Sequence, residues 1–207
     1  NVNANLFVRT LGLLFAMAFF TAQGARQGDT VLAANAVLLQ FIMLTSYALD
    51  GFAHAAESLI GRAYGRKDWR EFATTVRAAA VFSFWTAGAA ALLFALGGNG
   101  LIALLTGLEE VRETAAHYLP WMVAMPLIAV WSYLLDGVFI GTTAVREMRN
   151  SIFIGLAVYL PAWWLTQGLG NHGLWLAFML FTLVRSAVLI HYYRLYYHRR
   201  YRLSHWR

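Results

Sequence analysis

Residues 31–60 read VLAANAVLLQFIMLTSYALDGFAHAAESLI, an apolar run of about 30 residues in which Asp50 and Glu57 are the only acids. A bilayer core is crossed by about 20 residues of helix or about 9–11 of tilted strand. Nothing here alternates apolar with polar, so the run reads as a membrane helix that tilts, kinks or protrudes. Inside it, Tyr47-Ala48-Leu49-Asp50-Gly51 returns downstream as Tyr133-Leu134-Leu135-Asp136-Gly137, in a second apolar run. A carboxylate in such a setting is costly and normally has a role, so these two aspartates anchor the search for function.

The rest of the chain fits that frame. Of its 207 residues, 60% are hydrophobic and 13% charged, with a mean hydropathy of +0.55. Soluble domains carry about 25% charged residues, so this is an all-α integral membrane protein. Six runs qualify as transmembrane helices: about 6–25, 31–60, 73–96, 115–144, 152–167 and 174–193. They make a six-helix unit over 1–193, followed by a basic, aromatic tail over 194–207 that includes Trp206 and Arg207. The net charge of +6 collects at helix ends with no groove-binding motif, which argues against nucleic acid. There is no cysteine, and the opening Asn1 without a signal-peptide pattern reads as a fragment or processed chain.

Turn formers punctuate the runs. Gly97-Gly98-Asn99-Gly100 ends the third, and Glu147 to Asn150 separates the fourth from the fifth. Thr106-Gly107-Leu108-Glu109 has capping-box spacing and predicts a short surface helix before the fourth crossing. Arg62, Arg66, Lys67, Arg70, Arg146, Arg149 and the tail arginines fall on one side, the cytoplasmic one by the positive-inside rule. The C-terminus is then cytoplasmic, and both Asp-containing helices run inward in the same direction.

The helix rise puts Asp50, twelve residues before Arg62, and Asp136, ten before Arg146, roughly 15–18 Å from that boundary, near the midplane. Arg185 reaches a similar depth and is expected to neutralise one of them, while Arg9 snorkels to the inner surface. Two deep acids against one deep base leave one acid for a proton, Na⁺ or a cationic substrate. Asp50, His54 and Glu57 share a helix face, and Tyr47 and Tyr133 flank the aspartates. That stripe suits an aqueous cavity better than a metal site, which needs ligands and supporting groups from neighbouring helices. Two function classes follow: a cation-coupled transporter, or an intramembrane aspartyl-type enzyme. The second wants a Gly-x-Gly-Asp motif, and both sites here read Leu-Asp-Gly.

Tyr47 to Ala53, Glu57 with Gly61 and Ala63-Tyr64-Gly65, Trp131, Tyr133 to Gly137, Glu147 to Ser151 and Leu169-Gly170-Asn171-His172 together resemble the multidrug and toxic compound extrusion (MATE) family. Within it they are similar to the DNA-damage-inducible protein F branch. The resemblance implies the C-terminal six-helix lobe of a twelve-helix transporter in the bacterial inner membrane. It implies antiport of small organic, often cationic, compounds against H⁺ or Na⁺, with no cofactor, no metal and no enzymatic reaction. The partners it implies are membrane lipid and an N-terminal six-helix lobe, and the related superfamily adds a lipid-linked substrate flippase as an alternative. Asp136 stands where a sodium-coupled branch places a cation-binding acid. Asp50 is thereby left as the expected partner of Arg185.

Overall fold

The computed structural model describes residues 1–204, with side chains as far as Arg202, and the six long runs are all helical. The helices are α1 (Val2–Ala25), α2 (Asp29–Gly65), α3 (Trp69–Leu105), α4 (Glu109–Gly141), α5 (Val145–Leu165) and α6 (Asn171–Tyr193). A π-helical turn, Arg194–His198, joins α6 to the short α7 (Arg199–Ser204). There is no strand among the described residues. Length and hydropathy qualify five helices to cross a membrane. The exception is α5, whose first turns carry Arg146, Glu147, Arg149 and Asn150.

Several boundaries differ from the sequence reading. α3 continues through Gly97 to Gly100, because in an apolar setting no water competes for the helical backbone. Gly98 also has a packing reason, since a Cβ there would lie 2.6 Å from a Leu119 methyl on α4. The capping box does not form: Thr106 ends α3, and α4 starts at Glu109 as one continuous helix. Arg112 serves this junction instead, donating to the Thr106 and Ala103 carbonyls at 2.7 and 2.9 Å and so closing the end of α3. Glu147 to Asn150 form the first turns of α5 and do not separate it from α4. The tail is helical and packed through Arg202, while Trp206 and Arg207 lie outside the described residues.

α4 is the central helix, packed on α2, α3, α5 and α6. Its approach to α2 is backbone to backbone. A Cβ at Gly141 would stand 2.6 Å from the Glu57 carbonyl oxygen, and one at Gly61 would stand 2.7 Å from that of Gly141. Further in, Gly137 lies over the Ala53 carbonyl, so the two helices run parallel with their Asp-Gly steps nearly level. Both helices also leave by the same turn. Lys67 and Thr143 take left-handed conformations, and Asp68 N–H and Ala144 N–H reach back to the Ala63 and Phe139 carbonyls at 3.0 and 2.8 Å.

Apolar side chains form one core at each end of the bundle. Ile60, Phe72, Phe139 and Met148 lie toward the basic end, and Phe20, Phe41, Met122 and Trp175 toward the opposite end. A polar layer containing Asp136, Arg185 and Ser186 lies between them. The α2–α4 contact fixes that layer and gives a test. Gly141→Ala is expected to destabilise the full-length protein by about 1–3 kcal/mol, the usual range for overpacking. Gly51→Ala, whose Cβ would meet nothing within 4 Å, is expected to be neutral. Thermal unfolding in detergent measures both, and equal midpoints would contradict the backbone contact.

Candidate functional site

Three helices deliver one charge each to the polar layer. α1 brings Arg9, α4 brings Asp136 and α6 brings Arg185. Both guanidiniums converge on a single carboxylate oxygen: Arg9 Nη2 donates to Asp136 Oδ2 at 2.9 Å, and Arg185 Nη2 donates to the same atom. The side chains are deep, at 8% exposure for Arg185, 11% for Asp136 and 18% for Arg9. The other carboxylate oxygen, Oδ1, and the Nε of each arginine are buried without a hydrogen-bond partner. The cluster is therefore strongly held at one atom and incomplete around it.

Arg185 does meet an aspartate, as its depth predicts, and the aspartate is Asp136. The count of deep bases changes, because Arg9 reaches inward to Asp136 instead of snorkelling. Arg9 lies seven residues beyond Val2, roughly 10 Å along α1, and is the one charged residue of that helix. That isolation was the available signal. Asp136 lies five residues before the end of α4, roughly 8 Å, whereas the nearly level Asp50 lies fifteen before the end of the longer α2.

Asp50 becomes the acid without a counter-charge in contact. Among the described residues it makes no hydrogen bond or ion pair, although His54, Asp136 and Arg9 lie within electrostatic reach. The expected pairing of Asp50 with Arg185 is thus reversed by the structure. The flanking tyrosines differ as well: Tyr133 is hydrogen-bonded to Ser46 of α2, whereas Tyr47 is 68% exposed. His54 and Glu57 follow Asp50 along the open face of α2, with Nδ1 and Oε2 3.6 Å apart. Asp50 and Asp136 do not hydrogen-bond to each other among the described residues, and Asp136 is held by Arg9 and Arg185 instead.

Sequence reasoning missed two polar networks at the opposite end. Asn35 and Asn171 exchange amide hydrogen bonds of 2.9 and 2.8 Å, and Trp175 Nε1 donates to Asn35 Oδ1 at 3.1 Å, tying α2 to α6. His172 accepts from Trp121 at 3.1 Å and lies 3.1 Å from His117 Nε2, tying α6 to α4. An Asn in an apolar run is weak evidence until its partner is known, because the pair is 136 residues apart.

Removing one member of a buried ion pair leaves an uncompensated charge, at a cost of about 3–5 kcal/mol. Arg185→Met is therefore expected to destabilise the full-length protein by that amount, and Arg9→Gln by less, since Arg9 is the more exposed partner. A double-mutant cycle with Asp136→Asn should recover a coupling for Arg185 of about 1 kcal/mol or more. No measurable coupling would remove Arg185 from the cluster's energetics.

Comparison with known proteins adds the family context. The sequence profile of the MatE family matches residues 6–165. The chain is 39% identical to DNA damage-inducible protein F of Escherichia coli (strain K12) over 206 residues, 100% of this chain and 43% of that protein. It is 24% identical to Protein DETOXIFICATION 42 of Arabidopsis thaliana over 184 residues, 88% of this chain and 36% of that protein. The fold is similar to the crystal structure of MATE in the bent conformation, with a TM-score of 0.86 and 17% identity over 95% of this chain and 44% of that one. The chain thus spans less than half the length of the relatives it matches.

Proposed function

The chain belongs to the MatE family, and from that premise we propose that it forms one six-helix lobe of a multidrug efflux antiporter in a bacterial inner membrane, with Asp136 as its coupling carboxylate. The observation that carries this reading is the shared oxygen of Asp136, gripped by arginines from two different helices while its other oxygen has no partner. A proton and the guanidiniums compete for that carboxylate. Protonation removes the charge that holds α1 and α6 to α4, and the guanidinium of Arg9, the more exposed of the two, moves toward Asp50. Arg9 between two aspartates is then a two-state element, which ion-driven alternation needs.

Two guanidiniums in contact with the carboxylate oppose any cation there, so the coupling ion, H⁺ or Na⁺, reaches Asp136 only as an arginine moves away. Asp50, open and without an ion pair, is the carboxylate available to a cationic substrate, and Tyr47 and His54 extend that face along α2. A second six-helix lobe supplies the other wall of the cavity, and the basic end faces the cytoplasm. Transport fits this arrangement better than bond cleavage, because guanidiniums occupy the oxygen that an aspartyl dyad would use.

In the full-length protein, Asp136→Asn is expected to lower proton-driven efflux of an organic cation at least about tenfold, the loss that follows from removing one charged contact. Asp50→Asn is expected to weaken apparent affinity for cationic substrates while leaving the proton dependence in place. Efflux assays in vesicles with an imposed pH gradient measure both. Unchanged transport by Asp136→Asn at every pH would defeat the reading.

A further inference from the structure

At the basic end, two adjoining open clefts of about 220 and 420 Å³ share Tyr193 and His198 as walls, the first lying between α3 and the C-terminal segment and the second along α6 and that segment. Phe72, Val76 and Arg77 line the first, and Ile190, Arg194 and Arg202 line the second. Arg77, Arg194 and Arg202 are exposed and have no ion pair among the described residues. Among the acids at this end, Asp68 caps α3 through the Glu71 N–H, Glu71 holds Arg66, and Glu147 faces Tyr196 and Tyr197; none of the three lines either cleft.

Three uncompensated guanidiniums around a cavity call for an anion, and guanidinium geometry matches phosphate oxygens. Depth identifies which phosphate. Arg194 opens a run of arginines interleaved with tyrosines, Arg194 to Arg202, that continues α6, a composition that belongs at the headgroup level of the cytoplasmic leaflet. Phe72, Val76 and Ile190 make the cavity walls apolar beneath that cationic rim, which suits acyl or glycerol carbons and not a free ion. We propose that this pocket binds the headgroup of an anionic phospholipid, its phosphodiester on Arg77, Arg194 and Arg202 and its chains along α3 and α6.

The wall is built to hold its place. The π-helical turn directs Tyr197 inward, where it is 3% exposed and 2.5 Å from the Thr142 hydroxyl. Arg200 stacks over Trp69 and Tyr64, with its guanidinium carbon 5.5 and 5.9 Å from their ring centroids, and donates to the Tyr64 hydroxyl at 3.2 Å. Aromatic and arginine contacts thus fasten the C-terminal segment to α2, α3 and α4 and leave the three rim arginines free. A bound lipid would bridge α3 to this segment, a role independent of the transport reading.

The test uses the full-length protein in detergent, with dioleoylphosphatidylglycerol, dioleoylphosphatidylcholine or inorganic phosphate added separately. Thermal unfolding and native mass spectrometry are the readouts. Phosphatidylglycerol is expected to raise the unfolding midpoint and to be retained, and the other two additives are not. Arg77→Gln/Arg194→Gln/Arg202→Gln is expected to weaken retention roughly tenfold or more, from the loss of three near-surface cations. Arg62→Gln/Lys67→Gln/Arg70→Gln removes the same charge from exposed positions at the same end and is expected to keep it. Equal protection by phosphatidylcholine or inorganic phosphate would overturn the proposal. Equal loss in both triple variants would do so too, since it indicates diffuse attraction and no site.

Discussion

One carboxylate oxygen organises this bundle. Asp136 Oδ2 accepts from Arg9 on α1 and Arg185 on α6, so a single atom of α4 ties three helices together. In a medium without water, a lone charge of any of the three would cost several kcal/mol, and the cluster avoids that only while it stays together. The neighbouring structure is arranged to keep it so. Glycines at 61, 137 and 141 let α2 and α4 approach at backbone distance, which holds the site from one side, while α6 closes it from another.

The duplicated Tyr-x-Leu-Asp-Gly sequence shows how identical local chemistry acquires different roles. α4 is surrounded by four helices, whereas α2 leaves one face open, so Tyr133 and Asp136 are enclosed while Tyr47 faces outward and Asp50 is only partly covered. The asymmetry is tertiary and not written in the repeat itself. Enclosure is what demands the two counter-charges, and openness is what lets Asp50 do without one in contact.

This explains what could be read before the structure. Six helices, their order and the parallel run of α2 and α4 follow from apolar run lengths and the side on which arginines collect. The depth of Arg185 was enough to place it against an aspartate. Choosing which aspartate required knowing that α6 packs on α4, a contact with no local signature. Arg9 was misread because proximity to a helix end favours snorkelling; its isolation in α1 signals a buried partner but not which one, a carboxylate 127 residues away. The Gly97–Gly100 run was misread for a related reason: it reads as a turn in isolation, but Gly98 serves close packing once Leu119 is opposite. Paired polar groups such as Asn35 and Asn171 remain illegible singly, because each is explained only by the other.

The two kinds of polar contact in the bundle differ in how completely their hydrogen-bonding capacity is used. Asn35, Asn171 and Trp175 form a neutral network in which each amide both donates and accepts, so any displacement of α6 from α2 there breaks hydrogen bonds without replacing them. The Asp136 cluster is different. It leaves an acceptor, Oδ1, and two donors, the Nε atoms of Arg9 and Arg185, unused in the same volume. Unused capacity is destabilising in a site with one permanent state, but it lowers the cost of passing to a second arrangement in which those atoms find partners. The neutral network therefore fastens α2 to α6 at one end with its hydrogen-bonding capacity used, while the charged cluster joins α1, α4 and α6 with part of its capacity unused.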